Sequence, residues 1–220
     1  MTTHAKSRPI RCVITAGPTR EYFDPVRFLS NPSSGKMGYA LAQSAVKAGW
    51  EVHLISGPVA LSCPEGVVDY TSVTSGEDLY KAARTAFESC DVLIMAAAVC
   101  DQRPRVVDLT KQKKAALPSS VELVPVVDVL QELGKVKDRQ RLVGFAAETG
   151  DLEAEARRKL ASKHLDAIVA NRVGLPGSGF ESDINQGLLI DGKGKVQSFG
   201  PERKEVIAAW LIEQFMLTFF

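Results

Sequence analysis

The stretch Asp91-Val-Leu-Ile-Met-Ala96 decides the fold class, because it is a short and almost unbroken run of apolar residues. Strands of a parallel sheet are covered on both faces and therefore lack the usual alternation of polar and apolar residues. Similar strand-like runs occur on both sides of this stretch along the chain. They are Ile10–Thr15, Glu51–Ser56, Val67–Val73, Leu142–Ala146 and Ala167–Ala170.

Segments with apolar residues at helical spacing separate these runs. The first helix is predicted from Ser34 to Gly49, and Thr74–Glu77 has the spacing of a capping box before the second. A third helix is predicted over Asp151–Lys163, and a last one from Pro201, after a hairpin around Asp191-Gly-Lys-Gly194. This alternation predicts an α/β protein with a doubly wound, mostly parallel, Rossmann-like sheet and a C-terminal hairpin plus helix.

One segment fits neither period. Residues from about 103 to 121 are polar and rich in lysine, and we interpret them as a flap inserted in the domain. Residues 174–179 are rich in Gly, Ser and Pro and predict a loop. The length of 220 residues suits a single domain, which we assign to residues 10–220, preceded by an extension of residues 1–9.

The composition argues against several classes of protein. The 27 Lys and Arg nearly balance the 26 Asp and Glu, whereas a dedicated nucleic-acid binder needs an excess of basic charge. No apolar run reaches the roughly 20 residues of a membrane-spanning helix, and the first residues contain no apolar signal-peptide core. The four cysteines form no C-x-x-C pair and only three histidines are present, so we expect no disulfide scaffold, no zinc site and a cytoplasmic location.

Three sequences at strand ends carry candidate ligand contacts, since ligands of doubly wound sheets bind beyond the carboxyl ends of the strands. The first is Thr15–Glu21, where Ala16 and Gly17 leave the backbone accessible but no G-x-G-x-x-G follows. The helix begins later, in Asn31–Gly38, whose hydroxyl and N–H groups at a helix N-terminus could bind an anion. The alternative is a capped helix start with glycines that serve only close packing.

The second sequence is Met95–Asp101, in which small residues end a buried strand and Asp101 could contact a ribose or a metal. The alternative is an alanine-rich core strand. The third is a set of lysines: Lys159 and Lys163 share one helix face, and the flap adds Lys111–Lys114 beside Arg103 and Arg105. A solvated basic surface is the alternative there. Cys12 and Cys100 are not predicted to be nucleophiles, because no histidine is suitably placed.

Together these motifs resemble the phosphopantothenate–cysteine ligase family, in its stand-alone bacterial-type form. The resemblance runs from about Ile10 to the last helix. It rests on Ile14–Glu21, Asp24–Asn31, Ser33–Gly38, Leu54–Pro58, Ala96–Asp101, Lys111–Lys114, Val143–Thr149, Leu165–Asn171, Gly179–Asp183 and Arg203-Lys204.

The resemblance implies a two-step ligase reaction of coenzyme A biosynthesis. The carboxylate of 4'-phosphopantothenate attacks the α-phosphate of a nucleoside triphosphate, CTP in most bacterial members, and pyrophosphate leaves. The amine of L-cysteine then attacks the acyl-nucleotide and releases the nucleoside monophosphate. The resemblance further implies Mg²⁺ with the triphosphate, no flavin, and a homodimer in which the flap lies near the partner's site.

The resemblance also implies roles for individual residues. Asn31 and Lys111 are the expected catalytic residues, and Asn31, Ala97, Ala98 and Asp101 the expected contacts of the substrate and the intermediate. The expected nucleotide contacts are the Ala16-Gly17 turn, Ser33, Gly35, Gly38, Asp101, Lys111, Phe145, Lys159 and Lys163. No metal ligand is assigned.

Three departures and two rival functions accompany this assignment. Pro125–Asp128 stands where many bacterial members read Asn-Pro-Asp near the nucleotide base, which leaves CTP or ATP open; Gln102 and Arg172 also depart. About nine residues precede the first strand, so we expect no fused flavin-dependent decarboxylase domain.

Two rival functions are considered. The first is an NAD(P)-dependent Rossmann-type reductase, which would need the missing glycine fingerprint. The second is a non-catalytic nucleotide-binding module, which would not need both Asn31 and Lys111.

Overall fold

The structure, a computed structural model, describes residues 8–114, 119–173 and 182–220. Its strands are β1 (Arg11–Ala16), β2 (Arg20–Tyr22), β3 (Phe28–Ser30), β4 (Glu51–Ser56), β5 (Asp69–Ser72), β6 (Val92–Met95), β7 (Gln102–Pro104), β8 (Leu123–Pro125), β9 (Arg141–Glu148), β10 (Ala167–Arg172), β11 (Ile184–Asp191) and β12 (Val196–Arg203). Its helices are α1 (Lys36–Lys47), α2 (Gly76–Phe87), α3 (Val129–Val136), α4 (Leu152–Ser162) and α5 (Lys204–Phe219).

The central sheet has the order β12-β11-β10-β9-β6-β1-β4-β5. The six neighbouring strands β5, β4, β1, β6, β9 and β10 are parallel, and β11 and β12 add an antiparallel edge. The chain moves from β1 outward to β4 on one side and later returns to β6 on the other. In this topology the reversal of strand order opens a crevice beyond the carboxyl ends of β1 and β6. The predicted doubly wound, mostly parallel fold with a C-terminal hairpin and helix is confirmed.

Helices cover both faces of the sheet, as the unbroken apolar runs require. On one face α1 and α5 pack on alternate residues of the strands, for example Ile14, Leu54 and Ile94. On the other face α2, α3 and α4 pack on residues such as Val13 and Leu93. Because residues one apart in a strand point to opposite faces, each buried strand contributes to both cores.

Two small antiparallel pairs lie outside the central sheet. Strand β2 pairs with β3 in the connection between β1 and α1. Strand β7 pairs with β8, so the two ends of the predicted flap form a ribbon, which the ion pair between Arg105 and Glu122 extends. Within the flap, residues 115–118 lie outside the described residues, as do the predicted loop 174–179 and residues 1–7 of the predicted extension.

Three predictions about local structure were wrong. Helix α5 begins at Lys204 and not at Pro201, because β12 continues its pairing with β11 as far as Arg203. Proline is tolerated there since β12 is an edge strand. The capping box of α2 uses Ser75 and Asp78, one residue later than predicted. Helix α3, capped by Asp128, was not predicted at all.

Among the residues that the structure describes, no helix has both the length and the apolar character needed to cross a bilayer.

Candidate active site at the carboxyl edge of the sheet

A cleft of about 580 Å³ opens beyond the carboxyl ends of β1, β6 and β9. Its floor is the segment Met95–Asp101, which follows β6, and its walls come from the starts of α1 and α5 and from α3 and α4. The predicted site residues that line it are Asn31, Ser33, Gly35, Gly38, Ala97, Ala98, Asp101, Phe145, Lys159 and Lys163.

The floor is held rigidly although it is not part of a named strand. The N–H of Ala98 donates to the carbonyl of Gly17 at 2.9 Å, and the N–H of Thr19 donates to the carbonyl of Ala98 at 3.1 Å. The N–H of Ala97 donates to the hydroxyl of Thr15 at 3.1 Å. These bonds extend the pairing of β1 and β6 past the strand ends, so the small side chains of the floor are fixed relative to β1.

Two glycines bring the start of α1 close to this floor. Gly35 has a φ of +78°, a conformation that residues with a side chain rarely adopt. A Cβ atom on Gly38 would lie 2.5 Å from the Cβ of Ala16, so only glycine permits this packing. The predicted close packing at the glycines is therefore present, and the start of α1 from Gly35 to Gly38 lines the cleft, where a helix N-terminus could bind an anion.

Asn31 joins the β2–β3 hairpin to the floor. Its Nδ2 donates one hydrogen bond to the carbonyl of Val99 at 3.0 Å. An amide nitrogen carries two hydrogens, so this bond fixes the orientation of the side chain and still leaves a second N–H on the same atom. Asn31 is half-buried and lines the cleft together with Ala97 and Ala98.

At the end of the cleft formed by β9 and α4, each lysine is paired with a carboxylate. The Nζ of Lys159 lies 2.5 Å from Glu148, and the Nζ of Lys163 lies 2.8 Å from Asp128. Phe145 also lines the cleft as a half-buried ring, and its side chain packs on the core beneath α1 and α5, on the face of the sheet opposite α4. A cleft that contains a flat ring and two cations is suited to a nucleotide, whose base can stack and whose phosphates take ionic contacts.

At the other end, two further lysines line the cleft. Lys36, the first residue of α1, contacts Asp183 at 2.6 Å, and Lys204, the first residue of α5, is 4% exposed. Asn171 and Asn185 lie at the same end. Lys36 belongs to the segment Asn31–Gly38 that was predicted to bind an anion. Asn171, Asn185 and Lys204 were not predicted as site residues, although Asn171 and Lys204 each close one of the motifs that carry the family resemblance.

Two predicted contacts lie outside the cleft. Gly17 packs against Val59 and Gly57, and its role is to bond the floor. Lys111 is exposed, and the carbonyl of its neighbour Gln112 accepts a bond from Arg27, whose side chain is paired with Asp24. The hydrogen bond from Arg27 therefore attaches this part of the flap to the turn of the β2–β3 hairpin.

Cys12 and Cys100 are buried, free cysteines. Burial raises the pKa of the thiols of Cys12 and Cys100, so neither is a thiolate at neutral pH. This agrees with the prediction that they are not nucleophiles. No group of three or more His, Cys, Asp or Glu residues that could hold a metal ion occurs within residues 8–114, 119–173 and 182–220.

Residues 8–217 match the sequence profile of the DNA/pantothenate metabolism flavoprotein C-terminal domain. The chain is 52% identical over 173 residues to the coenzyme A biosynthesis bifunctional protein CoaBC of Bacillus subtilis (strain 168). The matched region covers 79% of this chain and 43% of that protein. The chain thus spans less than half the length of this relative.

Two solved structures share the fold. The crystal structure of the C-terminal domain of a coenzyme A biosynthesis bifunctional protein CoaBC is 40% identical, with a TM-score of 0.81 and 94% of each chain covered. A Cab2 mutant in complex with phosphopantothenate-cysteine has a TM-score of 0.71, with 94% of this chain and 88% of that chain covered. Its identity is 16%, so this second likeness concerns the fold alone.

Proposed function

Because the chain belongs to the phosphopantothenate–cysteine ligase family, whose profile is that of the DNA/pantothenate metabolism flavoprotein C-terminal domain, we propose that it joins 4'-phosphopantothenate to L-cysteine in coenzyme A biosynthesis. The observation that carries this proposal is the cleft at the reversal of strand order, where Asn31 and a floor of small residues lie between two lysine-lined ends. A phosphorylated acid and a nucleoside triphosphate together need such a cleft, with cations at both ends.

The reaction proceeds in two steps. A carboxylate oxygen of phosphopantothenate forms a bond to the α-phosphorus of CTP, and the bond from that phosphorus to the bridging oxygen breaks, which releases pyrophosphate. The amine of cysteine then bonds to the acyl carbon, CMP leaves with the acyl oxygen, and the amine loses a proton. Neither step needs a covalent bond to the protein, so the protein acts by positioning and by stabilising charge.

The described contacts suggest how the chain's residues divide this work. Asn31, oriented by Val99, donates its second N–H to the oxyanion that develops at the acyl carbon. The small side chains of Ala97 and Ala98 allow the acyl-nucleotide to lie against the fixed floor. Phe145, Lys159 and Lys163 bind the nucleotide, and Ser33, Gly35 and Gly38 shape the turn that presents N–H groups to a phosphate.

Mg²⁺ fits this site only as an ion that arrives with the triphosphate. The described residues hold no cluster of three metal-ligating side chains, and magnesium at nucleotide sites commonly takes one or two carboxylates plus phosphate oxygens. Asp101, on the floor of the cleft, is the carboxylate that would hold it. Bound magnesium would neutralise part of the charge of the departing pyrophosphate.

Lys111 is proposed to offset charge at the reacting phosphate, although it lies outside the cleft of its own chain. A homodimer provides a simple route, in which the flap of one subunit serves the cleft of the other. The exposed position of Lys111 and the attachment of its segment to the hairpin through Arg27 agree with this arrangement.

The structure offers less support to the two rival functions. The turn after β1 leads into the β2–β3 hairpin instead of a helix, and β4 ends at Ser56 before Gly57 without an acid for a ribose. A reductase of the Rossmann type lacks its main contacts here. A module that only binds nucleotide would not need Asn31 oriented beside the floor.

The decisive experiment measures pyrophosphate release from CTP, and separately from ATP, with 4'-phosphopantothenate in the presence and absence of cysteine. We expect release with CTP that depends on phosphopantothenate, and CMP with amide product only when cysteine is added. Absence of phosphopantothenate-dependent release with either nucleotide would overturn the proposed function.

A further inference from the structure

Helix α4 makes ion pairs of two kinds. Arg158 pairs with Glu155 of the same helix, and the two side chains are 62% and 41% exposed. Lys159 instead pairs with Glu148, the last residue of β9, and these side chains are 30% and 17% exposed. Water screens a pair less as the pair becomes more buried, so the charge of Glu148 acts strongly on an ammonium that lines the cleft.

The sheet fixes the position of Glu148. This residue ends β9 opposite Arg172 of β10, and its backbone carbonyl accepts the N–H of Val173 at 3.0 Å. Among the described contacts, its side chain is hydrogen-bonded to Lys159 alone. The other carboxylate at this end, that of Asp128, also caps α3 and itself lines the cleft. Glu148 is therefore the carboxylate whose described side-chain contact serves only a lysine of the cleft.

A phosphate group in the cleft would compete with this carboxylate. Lys159 lines the cleft whereas Glu148 does not, so a bound phosphate would take its ionic contact from the ammonium. Both anions would then lie next to the same cation and repel each other. Glu148 therefore lowers the affinity of this end of the cleft for phosphates through its charge, without a contact to them.

A lower affinity is useful in the proposed reaction. That reaction releases two anions, pyrophosphate and CMP, from the cleft that first binds CTP. Interactions that bind substrate and product equally well do not raise kcat, and products that are held tightly slow turnover. A carboxylate that pairs again with the ammonium when the phosphates leave favours their release.

We propose that Glu148 is an exchangeable counter-ion of Lys159, which lowers the affinity of the cleft for the triphosphate and for pyrophosphate. The carboxylate neutralises the ammonium in the empty cleft and gives it up when a phosphate binds. This role rests on the proposed function, because that reaction brings a triphosphate into the cleft and releases pyrophosphate from it. Glu148 acts through Lys159 and through its charge, so it is not a catalytic residue.

The test uses Glu148→Gln, which removes the charge and keeps an amide oxygen that can still accept a hydrogen bond from Lys159. We expect the KM of CTP and the inhibition constant of pyrophosphate both to fall about 3- to 10-fold, because one negative charge near the phosphates is lost. A damaged fold would weaken binding, so a gain in affinity is a readout that a merely structural role would not produce.

Two further variants serve as controls. Glu155→Gln removes the same charge from the exposed pair of α4, away from the cleft, and should leave both constants within about 2-fold of the wild-type values. Glu148→Asp keeps the charge, so its constants should stay closer to the wild-type values than those of Glu148→Gln.

A binding measurement separates this role from the reaction. Calorimetric titrations with CTP and with pyrophosphate, in the absence of phosphopantothenate and cysteine, should show tighter binding to Glu148→Gln than to the wild-type chain. Unchanged or weaker binding to the folded variant would overturn the counter-ion, and so would an equal gain in Glu155→Gln. If the wild-type chain binds CTP but releases no pyrophosphate with phosphopantothenate, the proposed function fails, whereas tighter binding to Glu148→Gln would still support the counter-ion.

Discussion

The two edges of the central sheet use similar charged residues in different ways. At the amino edge, Asp91 accepts bonds from the guanidinium of Arg8 at 2.6 and 2.7 Å and from the backbone N–H of Arg11 at 2.8 Å. Asp166 accepts bonds from Lys137 and from the backbone N–H of Leu142, both at 2.8 Å. These carboxylates tie the starts of neighbouring strands together through the backbone.

At the carboxyl edge the ion pairs do not tie neighbouring strands together, although Asp128 also caps α3 by accepting the N–H of Gln131. Lys159 with Glu148, Lys163 with Asp128 and Lys36 with Asp183 all lie along the cleft, and Lys204 is buried beside the last pair. A ligand phosphate could replace the carboxylate of Glu148 or Asp183 in such a pair, and neither carboxylate is bonded to a backbone N–H among the described contacts. The comparison implies that substitutions at the amino edge change stability, whereas substitutions at the carboxyl edge change catalysis and binding.

The largest effect is expected for Asn31→Ala at the carboxyl edge. Loss of an oriented donor to a developing oxyanion commonly lowers turnover by about 10²–10³-fold. The variant gives up one hydrogen bond to Val99, which is worth about 1 kcal/mol, so the chain should remain folded. We expect amide formation to be nearly lost while the melting temperature falls by only about 2–4 °C.

The matched control for Asn31 is its neighbour Ser30. The hydroxyl of Ser30 donates to the carbonyl of Thr19 at 2.8 Å, and Ser30 does not line the cleft. Ser30→Ala should therefore lower stability by a similar amount and keep its activity. Full turnover of Asn31→Ala would remove this residue from its assigned role, and equal loss of activity in Ser30→Ala would indicate a structural effect of the hairpin.

The elements that show a strong periodicity or a motif could be predicted from the sequence. Apolar runs such as Asp91–Ala96 located the parallel strands, and the small residues after β6 indicated the floor. Helix α3 was missed because it has only eight residues and follows a segment with little periodicity. The strands of the β2–β3 hairpin are three residues each, too short to show an alternation.

The position of Lys204 could not be predicted from the sequence for a different reason. A lysine at a helix start is usually solvated, and only the packing of α5 beside α1 buries this one in the cleft wall. The roles of Asp91 and Asp166 depend likewise on which strands become neighbours. Asp91 directly precedes a predicted strand, but its partners Arg8 and Arg11 are distant in sequence and become adjacent only through the strand order.

A smaller effect, about 10²-fold on turnover, is expected for Lys111→Met. Lys111 lies outside the cleft of its own chain, so this prediction tests whether the carboxyl edge of one subunit also uses a residue of the other subunit. If Lys111 serves the partner's cleft, a mixture of Lys111→Met and Asn31→Ala chains forms mixed dimers with one complete site. Random assortment should then recover about a quarter of the wild-type activity.

The neighbouring lysines provide the control for Lys111. Lys113 and Lys114 are exposed on the same segment, and their methionine variants should keep wild-type turnover. No recovery of activity in the mixture, after exchange of subunits has been verified, would mean that Lys111 acts in its own chain. Equal losses in all three lysine variants would indicate a general effect of basic charge instead of a role for Lys111.

The smallest effect is expected at the amino edge, for Asp91→Asn. The hydrogen bond from Arg8, with the N–H of Arg11, holds the pKa of Asp91 below its usual value. A carboxyl group with a lower pKa in the folded chain stabilises the fold above the unfolded pKa of about 3.9 and loses this contribution as the pH falls through the folded pKa. We expect a loss of about 1 kcal/mol in the free energy of unfolding at pH 7, since exposure of Arg8 weakens the pair.

Urea denaturation at several pH values measures this loss. The difference between the wild-type chain and Asp91→Asn should be constant above about pH 5 and should shrink below about pH 4, as Asp91 of the wild-type chain becomes protonated. Asp69→Asn, at an exposed carboxylate on the edge strand β5, should stay within about 0.5 kcal/mol of the wild-type chain. Both variants should keep wild-type KM values for both substrates. A changed KM in Asp91→Asn would contradict the division between the two edges, and a stability difference that does not shrink at all between pH 5 and pH 3 would show that the charge of Asp91 is not its source.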